Sequence, residues 1–289
     1  MAAKVSFRTG QGGLPLVRVE TESSTAEVYL HGAHVTHFQR RGEQPILFLS
    51  REAVFAADKP IRGGVPVILP WFGSREGKPA HGFVRTMKWD LLEVGLPNDD
   101  AVRLRFRLPE VSESPEAAEW PRFVAEFEIS VGYTLEMELK VTNVDATRDL
   151  PLEVCLHTYF AVSDIAKTEV MGLRGVKYLD SLAGFAMKTE TEAAIQFAGE
   201  VDRVYINSPE TVQIVDHGLG RIIEVAKSNS LSTVVWNPWI EKSKRLTDYG
   251  DDEYLRMVCV ESGNVKQNQT LLKPGQAATL GVAIDCREM

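Results

Sequence analysis

The chain has 289 residues, of which 44% are hydrophobic and 25% charged, with a formal net charge of -8. These are the proportions of an ordinary globular protein with enough apolar residues for a large core, and the acidic balance excludes a general attraction to nucleic acid or to an anionic membrane surface, which need a basic footprint. No stretch approaches the roughly 18 uninterrupted apolar residues of a membrane-spanning helix. Met1 to Arg8 contains no apolar signal core, and the three cysteines Cys155, Cys259 and Cys286 form no CxxC pair. An odd number of unpaired cysteines fits buried thiols in a reducing compartment, so a cytoplasmic location is expected.

In chain order, Val17 to Glu20 and Ala26 to Leu30 read as the first short strands. His31, His34 and His37 follow, but a strand would put His34 on the face opposite to the other two. No nearby Cys, Asp or Glu completes a ligand set, so a turn at Gly32-Ala33 joining two strands is expected in place of a metal site. Arg51 to Ala57 suggests a short helix. Between Lys59 and Gly73, Pro66 and Pro70 rule out a central strand and leave an edge or a packed loop. That loop sets Arg62 beside Gly63 and Gly64, where the backbone allows an anion to approach a guanidinium closely. The turn-like His81-Gly82-Phe83-Val84-Arg85 supplies another imidazole and another guanidinium.

Val102 to Leu108 alternates with Arg103, Arg105 and Arg107, the pattern of a strand with one wet face. Pro115 to Glu119, preceded by Ser114, suggests a second short helix. Phe123 to Val131 and Leu135 to Thr142 alternate strictly around Gly132-Tyr133-Thr134 and predict an antiparallel hairpin. Further strands are expected at Leu150 to Leu156, Val212 to Val215, Ile222 to Ala226, Thr233 to Trp236, Leu255 to Val260 and Ala277 to Ile284, with a turn at Lys273 to Gln276. No repeat or linker divides the chain. The expected fold is therefore all-β, a single domain over residues 1–289 built as a large antiparallel sandwich with few short helices.

Two of these runs end in residues able to move protons, one in Leu156-His157-Thr158-Tyr159-Phe160 and the other in Glu261-Ser262-Gly263. Histidine titrates near neutrality and glutamate is ionised there, so the pair suits acid and base work on one substrate. Read alone, a histidine after an apolar strand is more often structural.

The ordered set of Arg62-Gly63-Gly64-Val65-Pro66 through Trp71-Phe72-Gly73, His81 to Arg85, Leu156 to Phe160, Val201-Asp202-Arg203-Val204-Tyr205 and Val258 to Gly263 resembles the aldose 1-epimerase (galactose mutarotase-like) superfamily. Within it, the set is similar to the hexose-6-phosphate mutarotases. The resemblance implies a β-sandwich of the galactose mutarotase-like type with a shallow site on one sheet face, needing no cofactor or metal. It assigns His157 as general acid and Glu261 as general base, and Arg62, His81, Arg85 and Asp202 to substrate binding, the arginines marking the phosphosugar branch. Trp71, Tyr159 and Trp236 are candidate platforms for stacking on the sugar. Two positions depart from the pattern: Ala80 stands where glutamine is common, and Ser262 where proline is common.

The implied reaction is the interconversion of the α and β anomers of a hexose 6-phosphate by ring opening and closure, with a small-molecule phosphosugar as partner and a monomer as the expected state. The alternatives are a sugar-binding sandwich without turnover, a mutarotase of unphosphorylated aldoses, and a metal-dependent β-barrel enzyme using the clustered histidines.

Overall fold

In the computed structural model, which describes residues 3–98, 100–109 and 115–289, the strands form four sheets, and all of their strand pairings are antiparallel. The largest has nine strands and contains the alternating hairpin, Phe123–Val131 paired with Leu135–Asn143 in the register Val131 to Leu135. The second has eight strands, its path running Ala186–Thr189, Lys177–Asp180, Val201–Ile206, Ser232–Asn237, Met257–Asn264, Val154–Leu156 and Val67–Ile68, with Tyr159–Ala161 also pairing to Met257–Asn264. Lys4–Thr9 to His34–Arg40 make a four-stranded meander, and Leu150–Leu152 pairs with Thr270–Leu272 in a two-stranded ribbon.

One large apolar core joins the three larger sheets. Leu104, Phe106, Phe127, Ile129 and Leu139 enter it from the nine-stranded sheet, Tyr205, Val235, Val258 and Val260 from the eight-stranded sheet, and Val17, Val28 and Phe38 from the meander. Each such side chain contributes on the order of 1.5–3 kcal/mol by leaving water. The opposite face of the nine-stranded sheet is wet, as the alternation requires. Arg105 pairs there with Glu93 at 3.0 Å and Arg103 with Glu128 at 3.9 Å.

Several local expectations need correction. Arg51 to Ala57 forms turns and no helix, because the buried Glu253 holds its start by accepting from Ser50 Oγ at 2.6 Å and from the Arg51 N–H at 2.8 Å. The second short helix exists as Pro115–Ala118, while its expected cap, Ser114, lies outside the described residues. A further short helix, Trp239–Ser243, was not expected.

Leu150 to Leu156 is two strands in two sheets, with the chain crossing between them at Glu153, whose N–H donates to Pro70 O at 3.0 Å. Leu255 and Arg256 belong to a 3-10 turn, and the strand runs Met257–Asn264, past Glu261. Val67–Ile68, between the two prolines, is an edge strand of the eight-stranded sheet. The turn at Gly32-Ala33 is present, with both residues at positive φ.

Candidate functional site

The eight-stranded sheet sends alternate residues to opposite faces. Tyr205, Val235, Val258 and Val260 go to the main core, so their neighbours in sequence form a second surface. Register aligns that surface in rows. Asp202 lies opposite Trp236, Trp236 opposite Cys259, and Cys259 opposite Tyr159; two residues along, Val204 lies opposite Val234 and Val234 opposite Glu261. Leu156 pairs with Ser262, so His157 falls one residue beyond, level with Glu261. Two segments more than a hundred residues apart are thereby brought side by side.

His157 Nε2 lies 3.2 Å from Glu261 Oε1, and the two side chains are 10% and 1% exposed. Tyr159 stacks on the imidazole with ring centres 4.9 Å apart and an interplanar angle of 13°, while Trp236 and His81 meet it edge-on at 6.2 and 5.5 Å. The second carboxylate oxygen, Glu261 Oε2, accepts from the Cys155 thiol at 3.5 Å. Burial, followed by the neighbouring His81 ring and the Arg85 and Arg62 guanidiniums, pushes the His157 imidazole well below its ordinary range. Burial also pushes the Glu261 carboxyl well above its own, with the Cys155 hydrogen bond opposing and the Asp202 charge assisting. The two shifts converge, so the imidazole and the carboxyl approach one another in their hold on a proton across the Nε2–Oε1 contact. A nearby carboxylate of Glu261 or Asp202 would be expected to favour the charged imidazole. Asp202 acts on Glu261 instead, and the charges felt by His157 are cationic.

Arg62 is held by Asp248, to which its Nε and Nη2 donate at 3.2 and 3.1 Å, and its Nη1 donates to Tyr159 Oη at 3.0 Å. Arg85 donates through Nη2 to Ala80 O at 2.8 Å, and burial lowers it to about 10. The Ala80 carbonyl thus orients Arg85, a contact that does not depend on the side chain at position 80. His81 sits at positive φ beside Gly82, and its Nδ1 accepts from the Gly73 N–H at 3.4 Å. Burial and the nearby cations push His81 down to about 3, so it is neutral with its proton on Nε2. A Cβ at Gly82 would stand 1.9 Å from Leu69 O, which makes glycine necessary for the loop to pack. Asp202 lies on the rim, accepting from Ser181 Oγ at 3.0 Å and from Lys242 Nζ at 3.4 Å.

All the residues expected at the site gather there except Trp71. That ring is 1% exposed, donates to Pro79 O at 3.0 Å and packs against Phe83 and Trp120, so it belongs to the core and is no sugar platform. Tyr159 is buried and its face is covered by His157, so it orients the imidazole and is not free to stack on a sugar. Trp236 remains at the site, with Lys242 Nζ 5.7 Å from its ring centre.

The structure adds residues that the sequence did not single out. Asp248 fixes Arg62, and Lys266 Nζ lies between the rings of Phe72 and Phe185 at 5.7 and 5.2 Å. Cys259 was legible in principle, being two residues from Glu261 on one strand and hence on the same face. Nothing in the local sequence marks Lys266 or Asp248. His31, His34 and His37 do not gather: they meet Lys59 O, Gly63 O and Thr25 Oγ1 at 2.7, 2.7 and 3.2 Å. Among the described residues the group able to offer three donors to a metal is His157, Cys259 and Glu261.

An antiparallel β-sandwich with an imidazole-carboxylate pair and two arginines gathered at one sheet face is the class of protein that the fold and the site define. Residues 15–285 match the family described as Aldose 1-epimerase, and the chain belongs to that family. A protein of Cenchrus ciliaris provisionally named glucose-6-phosphate 1-epimerase is 37% identical over 87% of this chain and 78% of its own length. One of the same provisional name from Escherichia coli K12 is 36% identical over 90% and 86%. A crystal structure from Salmonella typhimurium, provisionally described as a mutarotase, superposes with a TM-score of 0.90 at 32% identity over 99% of this chain and 94% of that one.

Proposed function

We propose that this protein interconverts the α and β anomers of a hexose 6-phosphate, glucose 6-phosphate foremost, by acid and base catalysis of ring opening and closure. The observation that carries the reading is the 3.2 Å approach of His157 Nε2 to Glu261 Oε1 on a sheet face that also holds Arg62 and Arg85. In the ion-pair form, Glu261 takes the proton of the C1 hydroxyl while His157 gives its proton to the ring oxygen, which opens the ring. Rotation about C1–C2 exposes the other face of the aldehyde, and the reverse transfers close it. The enzyme ends with the proton it began with, so no cofactor or metal is needed.

Arg85 and Arg62 hold the phosphate, Arg85 being the one without a carboxylate partner among the described residues. His81 and Asp202 position the sugar hydroxyls, and Trp236 borders the ring. The names of the relatives support the phosphosugar branch. We take residues 1–289 to act as one cytoplasmic, monomeric domain.

The test follows the anomeric proton of freshly dissolved α-glucose 6-phosphate by NMR, with the uncatalysed rate subtracted. Wild type is expected to accelerate equilibration, and His157→Ala or Glu261→Gln to lose about 10² to 10⁴ of that acceleration. Arg85→Ala is expected to raise KM for glucose 6-phosphate while changing that for glucose little. Equal losses on both sugars would assign the protein to unphosphorylated aldoses, and binding without acceleration would make it a lectin-like sandwich.

A further inference from the structure

Cys259 has no role in the proton transfers above, yet its thiol is fully buried against the acid-base pair. One donor atom each from His157, Cys259 and Glu261 lies within 4.8 Å of the others. We propose that this trio is an inhibitory site for a thiophilic divalent cation, of which zinc is the probe.

The chemistry of the donor set supports zinc. An imidazole nitrogen, a thiolate and one carboxylate oxygen are its ordinary ligands, and three protein donors with an open fourth position are a familiar arrangement for this ion. Zinc bonds of about 2.0–2.3 Å put tetrahedral donors about 3.3–3.6 Å apart. The imidazole and carboxylate already stand at 3.2 Å, so closing the set requires a movement of about 1 Å, within reach of a cysteine side-chain adjustment.

The surroundings are also suitable. Tyr159 stacked on His157 and the Cys155 thiol on Glu261 Oε2 restrict the two ligands from behind, while the other ring nitrogen, His157 Nδ1, is buried without a hydrogen-bond partner among the described residues. Phe48, Trp236, Tyr249 and Met257 form a dry wall around Cys259, whose thiol has no hydrogen-bond partner among the described residues to compete with a metal. The small exposure of His157 gives access from the substrate side.

Binding releases the Cys259 thiol proton to the buffer, together with any proton held between Nε2 and Oε1. Because the ion takes the same Nε2 and Oε1 that move protons in turnover, metal and turnover exclude each other. The binding half of this inference stands by itself, and the inhibition half rests on the proposed epimerase function.

Equilibrium dialysis with zinc alone is expected to give one ion per chain, and added zinc to abolish the acceleration of anomer exchange until a chelator restores it. Cobalt alone is expected to show a thiolate-to-cobalt charge-transfer band. Cys259→Ser should keep metal-free exchange near wild type while weakening zinc at least tenfold and losing the cobalt band. Cys286→Ser, which alters a buried thiol outside the trio, should bind as wild type does.

Zinc binding unchanged in Cys259→Ser, or a wild-type cobalt complex without the thiolate band, would overturn the site. Stoichiometric binding that leaves turnover intact would overturn its inhibitory role. A wild type without metal-free acceleration would instead sink the epimerase reading, and the dialysis would still decide the site.

Discussion

Under the proposed mechanism, a proton shared by His157 and Glu261 sets the pH range over which the site can work. Adding a second proton charges the imidazole and leaves no base, and removing the first leaves no acid. Burial lowers His157 and raises Glu261, so the acid limb of kcat/KM is expected below the ordinary imidazole value and the alkaline limb above the ordinary carboxyl value. Asp202 is one cause of the raised Glu261, so Asp202→Asn should move the alkaline limb to lower pH in a pH-rate profile, apart from any loss in overall rate. An unmoved limb would deny the electrostatic coupling. His157 and Glu261 were legible because each ends or punctuates an apolar run with a polar group. Trp71 was misleading for the converse reason: a tryptophan between prolines looks available, and only its Pro79 partner and its two aromatic neighbours reveal it as core.

Among the elements, the crossing at Glu153 carries most of the positioning. Its carboxylate accepts from the Phe72 N–H at 3.0 Å and from the Lys266 N–H at 2.8 Å, tying two loops of the site to the strand that ends in His157. Glu153→Ala would leave two N–H groups without their buried acceptor and is expected to cost about 1–3 kcal/mol, read as a lower midpoint in urea unfolding. Glu153→Gln should lose less, since the amide oxygen can still accept.

This element also shows why sequence periodicity stopped short. Leu150 to Leu156 reads as one run because both halves are apolar, and the change of sheet at Glu153 depends on the distant partners Pro70 and Lys266. Arg51 to Ala57 fails as a helix for the same reason, its conformation being set by Glu253. The hairpin from Phe123 to Asn143 needed no distant information, because its strict alternation fixes both register and buried face.

For the molecule as a whole, histidine burial sets the response to acid. Burial lowers His31, His34, His37, His81 and His157, with His34 and His81 brought to about 3. The folded state therefore binds fewer protons than the unfolded chain between about pH 6.5 and 3, and stability falls as pH falls through that window, opposed by the raised Glu261. Each neutral histidine contributes up to about 1.4 kcal/mol per pH unit. His34, which donates to Gly63 O from a fully buried position, is the clearest case: His34→Gln should flatten the decline in urea-unfolding free energy between pH 6.5 and 4.5, and an unchanged slope would show that it charges without cost.

The all-β sandwich was legible from alternation alone. The meeting of two strands at the site needed the register of Met257–Asn264 against Val154–Leu156, which no local pattern encodes. Whether that meeting is catalytic is tested most directly by a double-mutant cycle on glucose 6-phosphate anomer exchange with His157→Ala, Glu261→Gln and the two combined. A pair that works through one shared proton predicts that the double variant is hardly slower than either single one; independent, multiplicative losses, or exchange as fast as wild type in any of the three, would contradict it.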